Sequence, residues 1–252
     1  MLMVISPSKT QNFTNSLDLP YSLPVNLEQT QILLKTLQTL NPEELSQLMK
    51  ISPKLADLNY KRYQEFEWPF TPSNAKPALL AFQGDVYQGL EIEQYAQGDF
   101  EYAQAHLRIL SGFYGVLRPL DLIQPYRLEM HTPLRINDYK SLYQFWNSQL
   151  VDVLLKDLGP EGWLINLASQ EYFKAVQSPK LAHRVLNITF KEQYKGTYKV
   201  IGLHAKRARG LMVNFAIQNQ ITDPQDLQGF AIAGYRFRAD FSETNHWFFC
   251  RD

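Results

Sequence analysis

Apolar residues are spaced along this chain so that short buried strands and longer amphipathic helices alternate. Leu2–Ile5 is an unbroken apolar run that reads as a buried strand, and the polar segment Ser6-Pro7-Ser8-Lys9-Thr10 follows it as a loop. From Leu27 to Leu40 the apolar positions Leu27, Leu33, Leu34, Leu37 and Leu40 recur at helical spacing. Asn41-Pro42-Glu43-Glu44 carries a helix start: Asn to cap, Pro in the first turn, and acids near the positive end of the dipole. A second start follows at Ser52-Pro53, which leaves Lys50-Ile51 as a short hairpin between two helices.

Further along, Ala78–Phe82 reads as a strand running into Gly84-Asp85-Val86-Tyr87-Gln88-Gly89, and Phe100–Leu110 as a helix. Trp163–Ala168 is predicted to be a strand ending at Ser169, which caps a helix over Glu171–Val176 that Ser178-Pro179 stops. Leu186–Phe190 and Tyr198–His204 are expected to form one antiparallel pair joined around Lys195-Gly196. Arg207–Gln218 is helical again, and Ala231–Phe237 and Trp247–Cys250 are closing strands. This mixed order points to an α+β fold, a single compact domain over residues 1–252 with a mixed sheet flanked by helices and a helix-hairpin-helix element at about 41–66.

Composition narrows the setting. Apolar residues make up 45% of the chain and aromatic residues 13%, enough for a sizeable core and too much for a disordered chain. Cys250 is the only cysteine, so no internal disulfide can form. The N-terminus has no basic region and no small-residue cleavage site, and no apolar stretch approaches the roughly 20 residues that cross a bilayer. A cytoplasmic monomer with no membrane partner is expected. Net charge is zero, yet residues 1–100 hold 7 basic against 11 acidic side chains and residues 101–252 hold 18 against 14. A local basic patch can therefore still hold an anionic partner.

Four segments carry candidate chemistry. In the block Leu110–Met130, Arg118, Asp121, Arg127 and Glu129 are interleaved with large apolar residues. Charges in such a context need partners, so they either fix a long loop internally or present arginine forks to an anionic ligand. Asn166-Leu-Ala-Ser-Gln-Glu-Tyr-Phe-Lys174 leads from a strand end into a helix, where polar groups and free N–H donors converge. Lys206, Arg207 and Arg209 follow a predicted strand at a helix N-terminus, against the dipole, which calls for an anion nearby. The hairpin between the first two capped helices places Lys50, Ser52 and Lys54 as in DNA-gripping hairpins, although Lys50-Ile51-Ser52-Pro53 lacks the usual glycines. Ser8-Lys9-Thr10 ends like a phosphate-binding loop without its glycines, and no dinucleotide or nucleophile-elbow motif is present. His106, His131, His183, His204 and His246 are scattered, so neither a metal site nor a cofactor is expected.

The segments ISPSKT (5–10), FQGDVYQGL (82–90), LSGFYGVLRPLDLIQPYRLEM (110–130), LYQFW (142–146), INLASQEYFK (165–174) and KRARGLM (206–212) together resemble the YaaA family of bacterial peroxide stress proteins, over essentially the whole chain. The resemblance implies a cytoplasmic protein of the hydrogen-peroxide response that limits free iron and so protects DNA and proteins from Fenton damage. It also implies one compact α+β unit with a helix-hairpin-helix element, a basic cleft and binding to DNA.

Two expectations follow. In the first, Lys50, Ser52 and Lys54 grip backbone phosphate of DNA with little sequence preference while Arg118, Arg127, Lys174, Lys206, Arg207 and Arg209 line the cleft. In the second, an enzyme works on a small anionic substrate there with Ser6, Lys9, Asp85, Tyr87, Tyr114, Arg118, Asp121, Arg127, Glu129, Asn166, Glu171 and Lys174 as acids, bases and anchors. Direct iron sequestration ranks below both, because the sequence displays no ligand cluster.

Overall fold

A computed structural model describes residues 1–14 and 19–252. The chain opens with β1 (Leu2–Ile5), every residue of it buried. Three helices follow, α1 (Leu27–Gln38), α2 (Pro42–Met49) and α3 (Pro53–Gln64). Their boundaries are those of the capping residues. Asn41 accepts from the Glu44 N–H while the Glu44 carboxylate accepts from the Asn41 N–H, and Ser52 accepts from the Leu55 N–H.

β2 (Lys76–Pro77), α4 (Ala78–Ala81), α5 (Asp85–Gln88), α6 (Gln97–His106), β3 (Leu107–Ser111), β4 (Gly115–Leu117) and β5 (Leu122–Ile123) come next. Then run α7 (Leu142–Trp146), α8 (Gln149–Leu158), β6 (Leu164–Asn166), α9 (Gln170–Phe173), α10 (Pro179–Ala182), β7 (Val185–Tyr194) and β8 (Thr197–Lys199). α11 (Gly202–Gln218), β9 (Arg236–Phe237) and β10 (His246–Arg251) complete the chain.

The main sheet has eight strands in the order β4-β3-β1-β6-β7-β10-β9, with β8 added to β7. Its five central strands, β3, β1, β6, β7 and β10, run parallel, and β4, β8 and β9 are antiparallel attachments. Parallel strands covered by helices must be apolar on both faces, which is why Leu2-Met-Val-Ile5 shows no alternation. β2 and β5 form a separate two-stranded ribbon. The expected mixed sheet flanked by helices is present, as is the antiparallel pair turning at Lys195-Gly196, where both residues have φ in the left-handed region. Among the described residues no helix is long and apolar enough to cross a membrane.

Four segments differ from their sequence reading. Ala78–Phe82 is not a strand, because its first N–H groups are taken by carbonyls of another loop: Ala78 donates to Asp121 O at 2.9 Å and Leu79 to Pro119 O at 2.9 Å. The chain then turns into α4. The helix expected over Phe100–Leu110 ends at His106, and Leu107–Ser111 joins the sheet as β3 in register with β1, Met3 opposite Leu107. A short apolar run has no period of its own to distinguish these outcomes. Tyr198–His204 is a strand only to Lys199, and α11 begins at Gly202. Lys206, Arg207 and Arg209 therefore sit beyond the first turn of α11, and the dipole penalty expected of them falls away. The predicted strand at Ala231–Phe237 shortens to Arg236–Phe237.

One crossing positions the site. α5 lies against α11 so closely that a Cβ at Gly210 would stand 1.9 Å from Val86 O, and one at Gly89 would stand 2.5 Å from Arg207 O. Only backbone without side chains fits there. Gly210→Ala is expected to lower stability by about 2 kcal/mol, as overpacking does, despite alanine's better helix propensity. A denaturant titration checks this, and an unchanged midpoint would contradict it.

Candidate functional site

Parallel neighbours deliver their following loops to one edge of the sheet. β1 and β6 pair with Val4 opposite Asn166, so Ser6–Thr10 and Leu167–Ser169 emerge side by side. The loops are stitched together: the Leu167 N–H donates to Val4 O at 2.9 Å, and the Ser169 N–H donates to Ser6 Oγ at 2.9 Å. The Ser6 hydroxyl in turn reaches Ser169 Oγ at 3.2 Å, and Tyr87 donates to Ser6 O at 3.1 Å. Ser169 therefore spends its hydroxyl on Ser6 and makes no side-chain cap for α9, contrary to the sequence reading. Asn166 is also engaged internally, its Nδ2 donating to Asn187 Oδ1 at 2.9 Å and its Oδ1 accepting from the Ala168 N–H at 3.0 Å.

A cavity of about 430 Å³ opens over these loop ends, walled by the α5 segment on one side and α11 on another. That size suits a small ligand, and the carboxyl ends of parallel strands are where open α/β sheets bind one. Ser6, Lys9, Asp85, Glu171, Lys206 and Arg209 all face it, as does Tyr87. Gly84 turns the chain into α5 with φ +107, a conformation that side chains resist, and so aims Asp85 at the cavity. Lys206 and Arg209, three apart on α11, share one helix face.

Charge is unevenly satisfied here. Arg209 is half-buried, burial pushes its guanidinium below its ordinary value, and among the described residues it has neither an ion pair nor a hydrogen bond. Beside the cavity, Lys9 and Arg127 both hold Glu129, the first at 2.7 Å on Oε2 and the second at 2.7 Å on Oε1. The Arg127 Nε is buried without a partner among the described residues. Burial, and then the neighbouring phenol of Tyr126 and the carboxylates of Glu171 and Glu129, raise the Tyr172 phenol, which stays protonated.

The other sequence candidates lie outside this cavity. Asp121 is fully buried and accepts from the Arg118 N–H at 2.8 Å, from Arg118 Nε at 3.1 Å and from Ser22 Oγ at 2.6 Å, while Arg118 also donates to Leu23 O at 2.8 Å. This is the internal network that one reading of the Leu110–Met130 block foresaw. Tyr114 is buried in the core, accepting from the Gln124 N–H at 2.9 Å and donating to Gln124 O at 3.2 Å. Lys174 stands 5.0 Å from the ring centroid of Tyr143.

Arg207 points round α11 to a different cavity, shared with His204, Tyr235 and Arg251. There, burial alone would raise Glu192, but hydrogen bonds from Tyr235, Arg251 and His204 bring its carboxyl below the ordinary value. Lys50 has φ +52 at the end of α2, Ser52 caps α3, and neither Lys50 nor Lys54 forms an ion pair among the described residues. The hairpin residues line no part of the cavity.

Some members were not named as site residues from the sequence. Ser8 and Tyr172 line the cavity, and His131 Nδ1 lies 2.6 Å from Glu171 Oε1, which accepts from it. Arg62 on α3 donates to Asn59 Oδ1 at 3.2 Å, and burial and Arg127 lower its guanidinium against an opposing effect of Tyr63. The adjacency of Glu129 and His131 in one loop was a usable signal for the histidine.

The contrast between the two arginines is testable. Arg118→Ala strips hydrogen bonds from a buried carboxylate and is expected to cost about 1–3 kcal/mol. Arg209→Ala removes a half-buried charge with no partner among the described residues and is expected to leave stability within about 0.5 kcal/mol or raise it. Thermal unfolding of the two variants measures the difference, and a large loss at Arg209 would mean it is structural.

A family model described as peroxide stress protein YaaA matches residues 1–241. A UPF0246 protein of Acaryochloris marina (strain MBIC 11017) is 59% identical over 252 residues, covering all of both chains.

Proposed function

Because the chain belongs to the family of the peroxide stress protein YaaA, we propose that it serves that response by gripping phosphate groups, those of DNA first, in the cleft at the ends of β1 and β6. The observation that carries this reading is Arg209: a half-buried guanidinium facing a cavity that Lys206 and Lys9 also line, with no carboxylate partner among the described residues. A phosphate oxygen supplies the missing acceptor, and the planar fork of arginine matches it. Contacts of this kind carry no base information, so the binding is sequence-tolerant. The exposed Lys50 and Lys54 at the turn between α2 and α3 offer a second, outlying contact. In a cytoplasmic protein, shielded DNA and a lowered level of free iron both limit Fenton damage, and both belong to this proposal.

A second reading is favoured by the acids. Asp85 and Glu171 face the same cavity as the three cations, and gripping phosphate needs neither. An enzyme acting on a small anionic substrate would use them as general acid and base.

Fluorescence anisotropy with a labelled duplex, run across a salt series, decides between them. Duplex affinity should fall steeply with salt, and replacing both Lys206 and Arg209 by Ala should weaken it and flatten the slope of log K against log salt by about 2. Lys50→Glu with Lys54→Glu should weaken binding less. Absence of any salt-sensitive binding, or a slope indifferent to the cleft variant, defeats the DNA reading. A small phosphorylated compound retained through purification, and lost on Arg209→Ala, supports the enzyme.

A further inference from the structure

We propose that Glu129 and His131 form a binding site for a divalent first-row transition ion, with Glu171 as the group that orients the imidazole. His131 Nδ1 lies 2.6 Å from Glu171 Oε1. An ionised carboxylate only accepts, so Nδ1 carries the proton and, in the neutral ring, Nε2 is left with its lone pair. His131 Nε2 stands 4.0 Å from Glu129 Oε2, beyond hydrogen-bonding reach. A metal ion between this nitrogen and this oxygen would bond to both, taking at Oε2 the place that the Lys9 ammonium holds. Potential ligand atoms of Glu129, His131 and Glu171 all lie within 4.8 Å of one another.

The surroundings have the form of a metal site's outer shell. A ligating histidine ordinarily donates its other N–H to a carboxylate, which fixes its tautomer and direction, and Glu171 stands where that carboxylate belongs. The main-chain N–H of His131 also donates to Glu171 Oε1, at 3.2 Å. Arg127 holds Glu129 Oε1 at 2.7 Å and leaves Oε2 as the coordinating oxygen.

The cation now at Oε2 is the ammonium of Lys9, 2.7 Å away on a side chain that is 61% exposed, whereas that of Glu129 is 13% exposed. An exposed lysine can swing into water at little cost, while the carboxylate it leaves stays fixed. Imidazole nitrogen with carboxylate oxygen suits ions of the zinc, cobalt and iron type better than magnesium or calcium, which prefer oxygen alone. The exposure of His131 leaves the remaining coordination positions to water.

The competition with Lys9 gives the test its sign. Co²⁺ titrated into the purified full chain, followed by visible absorption and by calorimetry, should saturate at one ion per chain. Glu129→Gln and His131→Ala should abolish the signal, and Glu171→Gln should weaken it by about 10- to 100-fold, the usual effect of losing an outer-shell partner. Lys9→Met should tighten binding several-fold, because the ammonium no longer competes for Oε2. A loss of fold cannot mimic that gain. No saturable binding by the wild-type chain, undiminished binding by His131→Ala, or weaker binding by Lys9→Met would each overturn the proposal. The measurement uses no DNA, so its outcome is independent of whether the cleft grips phosphate.

Discussion

β1 lies between β3 and β6 and pairs with both in parallel, Met3 opposite Leu107 on one side and Ile165 on the other. Its four residues are buried, and its main-chain groups are satisfied only while both neighbours stay in register. That constraint fixes where the chain leaves the sheet. Ser6 emerges beside Leu167 and Ser169, and the hydrogen bonds between Ser6 and Ser169 hold the two loops at one distance. The floor of the cavity is a consequence of strand pairing, so a change that slipped β1 would dismantle the site without touching any of its charged groups.

The walls depend on a second constraint, the near-contact of α5 and α11 backbones at Gly89 and Gly210. Lys206 and Arg209 are carried by the same helix that this crossing pins, and Asp85 opens the other helix. Cations and a carboxylate thus line one cavity because two glycines, Gly89 and Gly210, let the segments that carry them touch. The arrangement keeps Arg209 half-buried, which removes water from the guanidinium and strengthens its attraction for an anion.

The charges of the Leu110–Met130 block divide between two duties. Arg118 and Asp121 close an internal network that ties the loop after β4 to the chain at Ser22 and Leu23. Arg127 and Glu129 instead sit beside the cavity, where Lys9 and His131 join them. A cation-lined cleft and an imidazole–carboxylate pair then occupy adjoining ground, linked through Glu171, which faces the one and orients the other.

Much of this was written locally in the chain. Capping chemistry at Asn41 and Ser52 determined where α2 and α3 begin, the apolar run Leu2–Ile5 determined a buried strand, and Lys195-Gly196 determined a hairpin, because each depends on neighbours a few residues away. The family was legible from the same words, Leu110–Met130 above all. Tertiary structure decided the rest. Ala78–Ala81 became a helix because distant carbonyls took its first N–H groups, and Leu107–Ser111 became a strand because β1 offered an unpaired edge. It also separated Arg207 from Lys206 and Arg209, buried Tyr114 and Asp121, and brought His131 to Glu171 across 40 residues of chain. Such meetings depend on which groups a fold leaves unpaired, and no local spacing records that.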